Sequence, residues 1–298
     1  MLLKGAPAAN CILATIKDQI QSHSGAPGLA VVLVGNNPAS EIYVSMKVKR
    51  ATDLGMVSKS YRKPSDATLS DILALIHQLN CDEDIHGILV QLPLPKHLDT
   101  QAILSAISPD KDVDGLHPTN VGKLLLGETD GFVPCTPAGI VELLKYYEIS
   151  LYGKHVVILG RSNIVGKPLA ELMLQNNATP IICHSKTNNL ASITRTCDIV
   201  VAALNKQEHI NSEFIKEGAI VIDVGVHKNE AGKTVGDVAF DDVYDKVSLI
   251  TPSTGAVGPM TICMLAYNSA KSIYGEEVEE VLKQGIAKAK QRIKTYNM

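Results

Sequence analysis

The chain has no excess of positive charge: 28 Lys and Arg stand against 31 Asp and Glu in 298 residues, a formal net charge of -3. It therefore offers no basic field to a nucleic-acid backbone or an anionic bilayer, and small molecules are the expected partners. CxxC pairs are missing too. The six cysteines, at 11, 81, 135, 183, 197 and 263, are too dispersed for a disulfide-stapled secreted domain and read as reduced, mostly buried thiols. No stretch reaches the roughly 18 apolar residues of a membrane span, and Lys4, Pro7 and Asn10 break the N-terminal apolar run that a secretion signal needs. These absences point to a soluble, cytoplasmic protein. Internal repeats and low-complexity tracts are also lacking.

What is present is alternation. A β-branched run from Leu29 to Val34 is followed by a helical pattern from Ala39 to Leu54 and another extended run from Val57 to Arg62. Thr68 to Leu79 is amphipathic, and His86 to Leu92 is a buried strand closed by Pro93 and Pro95. Continuous apolar strands that each lead into a helix predict a parallel sheet covered on both faces. A Gly-, Pro- and Asp-rich stretch from Ser108 to Pro137 interrupts the pattern, and a domain boundary is expected within it, at 132/133. A second series follows: helix 136–147, strand 155–159, helix 165–176, strand 180–183, and strands near 198–202 and 219–224. That is a doubly wound nucleotide-binding pattern. The last segment, Glu276 to Tyr296, is a charged helix with Lys and Arg gathered near its C-terminal end, expected to pack back on the first domain.

A strand-to-helix turn, Gly160 to Pro168, follows His155 to Leu159, at the place where a dinucleotide pyrophosphate meets the unpaired N–H groups of a helix N-terminus. GxGxxG is absent, so a plain tight turn is the alternative. A phosphate loop fails on two counts: one extra residue separates the glycines, and Pro168 stands where a magnesium-binding hydroxyl is required. About 20 residues on, the segment from Cys183 to Thr187 has no carboxylate to hold the ribose hydroxyls of NAD. Its hydroxyls and Lys186, with Arg161 in the first turn, favour NADP, unless both cations are only solvated surface charges.

Candidates for chemistry are fewer. Tyr43 and Lys47 are four apart on one predicted helix, with Ser40 as its expected N-cap, so they share a face. A partly desolvated lysine can act as general acid and base near neutrality, and a tyrosine can stack on a flat heterocycle; an ordinary helix surface is the bland alternative. Gln91 closes a strand at the sheet's carboxyl end, where ligands of open parallel sheets bind. Asp110, Asp112 and Asp114 begin like an EF-hand loop, but Pro118 interrupts it and Val121 occupies the position of the bidentate Glu, so no metal is expected. One aspartate of this turn could pair with N–H donors of a heterocycle. Thr251 to Thr261 is a glycine-containing turn before an apolar helix, open to close ligand approach, with Pro259 at an early helical position.

Taken together, SEIYVSMK, GILVQLPLP, PDKDVDGLHPTNVGKLLLG, PCTPAGIVELL, GRSNIVGKPLAELM, CHSKT, VIDVGV and VGPMT resemble, in order and along nearly the whole chain, the bifunctional methylenetetrahydrofolate dehydrogenase/methenyltetrahydrofolate cyclohydrolase family. The resemblance implies two α/β domains with a cleft between them. An N-terminal catalytic domain with a parallel sheet (1–132, joined by 276–298) would bind folate, and a C-terminal Rossmann-type doubly wound domain (133–275) would bind NADP. It further implies Lys47 as the central catalytic group, Tyr43 orienting and stacking on folate, Gln91 bonded to Lys47, and Asp114 on the pterin edge. Pro252 and Gly255 would also touch substrate, and Gly160, Arg161, Ser162, Ser185 and Val226 the cofactor. A homodimer through the second domain is implied as well.

The chain departs from the family's PVPGGVGPMT turn, with Thr254 in place of a proline and Ala256 in place of a glycine, which would loosen the turn or bring a methyl group toward the ligands. The N-terminal Leu3 to Pro7 also strays from the family's usual start, and no catalytic meaning attaches to it. Two other readings compete. One is a different Rossmann dehydrogenase, which leaves Tyr43, Lys47 and Gln91 without a shared role. The other is a non-catalytic folate or dinucleotide sensor, motivated by the altered turn.

Overall fold

The computed structural model describes residues 1–296, with side chains through Gln291. Arg292 and Lys294 of the basic C-terminal end therefore carry side chains outside the described residues. Two compact units result: Cys11–Val133 with Ile262–Gly285, and Met1–Asn10 with Pro134–Thr261 and the segment from Ile286. Helix α1 (Ala6–Ser22) begins in the latter unit and continues in the former.

In the unit built on Cys11–Val133, the order is β1 (Gly28–Val34), α2 (Pro38–Asp53), β2 (Val57–Lys63), α3 (Leu69–Cys81), β3 (Gly87–Val90), α4 (Thr100–Ser105) and α5 (Pro118–Leu126). The three strands form a parallel sheet in the order β2-β1-β3, with Leu29 opposite Gly87 and Val32 opposite Val90. All of β1 and β3 is buried, which explains their unbroken apolar sequences. Ala30, Val32, Val34, Ile88 and Val90 pack with Ile72, Ile76 and Ile103 on one face. Fully burying each such large aliphatic side chain is worth about 1.5–3 kcal/mol. α3 is closed by a reciprocal cap in which Thr68 and Asp71 satisfy each other's backbone N–H groups.

The other unit runs through α6 (Cys135–Tyr146), β4 (His155–Leu159), α7 (Gly166–Gln175), β5 (Thr179–Cys183), α8 (Leu190–Thr194), β6 (Ile199–Ala202) and β7 (Ile220–Asp223). A small antiparallel hairpin, β8 (His227–Lys228) with β9 (Thr234–Val235), follows, then α9 (Phe240–Val243) and β10 (Leu249–Ile250). The parallel sheet has the order β10-β7-β6-β4-β5, so the winding direction reverses between β4 and β6. Helices α10 (Val257–Tyr274) and α11 (Glu277–Tyr296) close the chain. Among the described residues no helix is long and apolar enough to cross a membrane.

The chain ends are apportioned differently from the sequence expectation. Leu2 makes a parallel bridge to Ile250, and the Leu3 N–H donates to the Ile250 carbonyl at 2.8 Å. The Gly5 and Ala6 N–H groups both donate to the Gly255 carbonyl, at 2.9 and 3.0 Å, so the N-terminal segment belongs with the glycine turn. Within α11, the residues from Ile286 fall in the Pro134–Thr261 unit, where the Lys290 ammonium lies 3.7 Å from the Glu148 carboxylate.

Candidate active site and cofactor turn

In the unit built on Cys11–Val133, helix α2 carries Tyr43 and Lys47. Its N-cap is Asn37, not Ser40: the Asn37 Oδ1 accepts from the Ala39 and Ser40 N–H groups at 3.0 and 3.2 Å, and Pro38 takes the first helical position. Ser40 is instead a buried residue of the first turn, in a stripe with Val44 and Ala51. That stripe leaves Tyr43 at 37% exposure and Lys47 half-buried beside it. The Lys47 Nζ donates to the Gln91 Oε1 at 2.9 Å. Gln91 is itself oriented by its Nε2, which donates to the Leu92 carbonyl at 2.6 Å, and by its backbone N–H, which donates to Val32 of β1. A cation and an amide from segments 44 residues apart thus meet at the carboxyl end of the β1/β3 pair. This is the side where β1 feeds α2 and the strand order reverses.

Asp114 is half-buried in the turn after Pro109–Lys111, and the turn is built around its neighbour Asp112. The Asp112 carboxylate, 1% exposed, accepts from the Leu116 and His117 N–H groups and from the Asn120 Nδ2, at 3.1, 2.7 and 2.8 Å. Burial pushes its carboxyl up to about 6, against these hydrogen bonds and with the nearby Asp114 charge adding to the rise. The Asn268 Nδ2 holds the Val113 carbonyl at 2.9 Å, so Asp114 is pinned from both sides.

In the second unit the turn between β4 and α7 supplies the polar surface. Gly160 has φ 128°, and a Cβ there would come within 2.3 Å of the Ala203 carbonyl oxygen, so no other residue fits. The Gly160 N–H donates to the Cys183 carbonyl at 2.8 Å, which brings the β4 and β5 ends together and sets Ser185 near the turn. Arg161, Ser162 and Lys167 are exposed at the turn into α7, and Ser185 and Lys186 are exposed after β5. The Ser162 Oγ accepts from the Val165 and Gly166 N–H groups at 3.2 and 3.4 Å, which leaves its own proton to donate. Hydroxyls, cations and a helix N-terminus are the donor set that a phosphorylated dinucleotide requires. Val226, 55% exposed, follows β7 on the far side of the β4/β6 reversal. Pro252 and Gly255 lie in this unit, while Tyr43, Lys47, Gln91 and Asp114 lie in the other. Ala256 is 2% exposed, so its methyl group is packed inside rather than presented to a ligand.

Residues 3–114 match the family model described as tetrahydrofolate dehydrogenase/cyclohydrolase, catalytic domain, and residues 134–276 match that of its NAD(P)-binding domain. The chain belongs to the tetrahydrofolate dehydrogenase/cyclohydrolase family. It is 67% identical over 281 residues to the bifunctional protein FolD of Chlamydia muridarum, covering 91% of this chain and 98% of that one. Among solved structures, the bifunctional methylenetetrahydrofolate dehydrogenase/cyclohydrolase of Campylobacter jejuni superposes with a TM-score of 0.89 at 48% identity, over 91% of this chain and 98% of that one. The Trypanosoma brucei enzyme, solved with NADP and an inhibitor, gives 0.86 at 37% identity, over 91% and 96%.

Proposed function

We propose that the Lys47–Gln91 pair is the proton-transfer centre of an NADP-dependent 5,10-methylenetetrahydrofolate dehydrogenase that also hydrolyses 5,10-methenyltetrahydrofolate to 10-formyltetrahydrofolate. Family membership carries the two half-reactions, which make the protein an oxidoreductase and a hydrolase of one-carbon metabolism. The observation that supports the site assignment is the 2.9 Å hydrogen bond from Lys47 to Gln91 at the ligand-binding end of the sheet.

NADP+, when bound, supplies the hydride acceptor for oxidation of the methylene carbon. Gly160, Arg161, Ser162, Ser185 and Val226 are assigned to holding it. In this reading Tyr43 stacks on the pterin and fixes its orientation, Asp114 accepts from the N–H groups at the pterin edge, and Pro252 and Gly255 line the substrate's path. The oxidised product is an amidinium cation that attracts water. Lys47 in its amine form takes a proton from the attacking water and returns it to the departing nitrogen, while the Gln91 carbonyl oxygen aims the amine. The 1–132 region is assigned to folate and the 133–275 region to NADP. A cytoplasmic location belongs to the same reading, as does a homodimer. The dimer is supported by the position of β5 at the sheet edge, with Ile182 39% exposed there.

A paired assay on the purified protein tests the whole reading. NADP+ reduction dependent on methylenetetrahydrofolate, together with loss of methenyltetrahydrofolate absorbance, is expected. A protein that performs neither reaction would refute it.

A further inference from the structure

Asp223 and Asp237 are buried carboxylates to which the mechanism gives no role. Asp237 is fully buried, at 0% exposure, and its two oxygens are saturated. The Leu204 and Asn205 N–H groups donate to Oδ2 at 2.6 and 3.1 Å, and the Lys206 N–H and the His227 Nε2 donate to Oδ1, each at 2.8 Å. Three consecutive backbone N–H groups converging on one anion form a nest, a concavity that needs negative charge to fill it. Asn205 sits in the left-handed region at φ 54°, which asparagine reaches more readily than other residues with a Cβ and which turns its N–H toward the carboxylate.

Asp237 is seated in turn by Asp223 at the end of β7. The Asp223 Oδ1 accepts from the Gly225 and Asp237 N–H groups, both at 2.9 Å, and its Oδ2 accepts from the Val238 N–H at 3.0 Å. Space for both carboxylates is kept by glycine. A Cβ at Gly236 would lie 1.8 Å from the Asp223 Oδ2, and one at Gly225 would lie 2.5 Å from the Asp237 Oδ1.

The loop tied by this knot borders the cofactor turn. Ala203, immediately before the nest, donates from its N–H to the Leu159 carbonyl at 2.9 Å, and its own carbonyl is the atom against which Gly160 packs. On the other side, His227 follows Val226 directly. One carboxylate therefore fixes the backing of the turn at Gly160 and the edge at Val226, the two sides of the sheet's switch point.

We propose that Asp237, clasped by His227, is a positioning residue for the NADP half of the reaction: it touches neither substrate nor cofactor but holds 203–206 and Val226 in the spacing that the dinucleotide needs. The inference rests on assigning NADP to this unit. The experiment uses the full-length protein and compares His227→Ala, His227→Gln and Asp237→Asn with the wild type in both assays. Glutamine can restore a donor to Asp237, whereas asparagine at 237 turns one acceptor edge into a donor facing N–H groups.

For His227→Ala the KM for NADP+ should rise about tenfold, the scale of one hydrogen bond to a charged group, with a smaller change in kcat. His227→Gln should return close to the wild type, Asp237→Asn should lose more than His227→Ala, and hydrolysis of methenyltetrahydrofolate without NADP+ should be unchanged in all three. Unchanged KM for NADP+ in His227→Ala would overturn the proposal. So would parallel loss of both activities with a falling melting temperature, the mark of a structural role alone. If Asp237→Asn fails to fold, the His227 pair decides by itself. A wild-type protein that hydrolyses methenyltetrahydrofolate yet never reduces NADP+ would instead overturn the cofactor assignment.

Discussion

The two parallel sheets carry their functional groups in opposite ways. At the end of β1 and β3 the groups proposed for chemistry are side chains, a lysine and a glutamine joined by one hydrogen bond and left half-open to solvent. At the end of β4 the exposed Arg161, Ser162 and Ser185 assigned to the cofactor stand on a backbone frame, a helix N-terminus and a glycine that no other residue can replace. The difference follows from the tasks. A proton-transfer group must change its charge state and its partner, so it is held by few bonds; a dinucleotide site must keep its shape, so in the proposed reading its side chains stand on a main-chain frame braced by saturated carboxylates.

Substitutions that act on one sheet and spare the other can break this comparison. The largest effect is expected for Gly160→Ala, whose added methyl group meets the Ala203 carbonyl in a left-handed backbone conformation. Dehydrogenase activity should fall by more than about 100-fold, as for other misplacements of a positioned ligand, and the melting temperature should drop. Cyclohydrolase activity measured below the new melting point should persist; equal loss of both activities would erase the distinction between the sheets. Gln91→Ala is the converse. Losing the acceptor of a charged donor is worth about 1.5–3 kcal/mol, so cyclohydrolase kcat should fall roughly 10- to 100-fold while NADP+ affinity, read by titration, stays unchanged. A shift in NADP+ affinity would count against the division of labour.

The smallest effect concerns pH. Burial holds the carboxyls of Asp112 and Asp223 up at about 6, above the ordinary value of 3.8. A raised folded-state value means that the folded chain keeps the proton more tightly than the unfolded one. The resulting stabilisation is complete below 3.8 and is lost as pH rises through about 6. Asp112→Asn has no such proton to lose, so its urea-unfolding stability should gain on that of the wild type between about pH 4 and pH 7. Parallel profiles would show that Asp112 does not titrate in that window.

Much of this was legible in the sequence because it is local. Apolar runs such as 29–34 and 155–159 gave their strands to within a residue, since a strand buried on both faces admits little else. The pairing of Lys47 with Gln91 spans 44 residues and was reached through the family resemblance, not through spacing. Ser40 is not the N-cap because Asn37, followed by Pro38, is an equally good capping residue one turn earlier and the backbone takes it. The signals for Asp112, Asp223 and Asp237 were present in KDVDG, VIDVG and VGDV. Their partners, however, lie up to 33 residues away, and only the closed sheet brings Leu204 and Asp237 together. The docking of Leu2 and Leu3 beside Ile250, some 247 residues distant, left no trace in any periodic pattern.

In the proposed mechanism Lys47 must give and take a proton, not merely carry charge. Lys47→Arg tests it most directly, because arginine keeps the positive charge and can still donate to Gln91 but does not deprotonate in a protein. Hydrolysis of methenyltetrahydrofolate by Lys47→Arg should fall by at least about 100-fold, while binding of tetrahydrofolate, measured calorimetrically, remains. Hydrolysis at the wild-type rate by that variant would rule out proton transfer by Lys47.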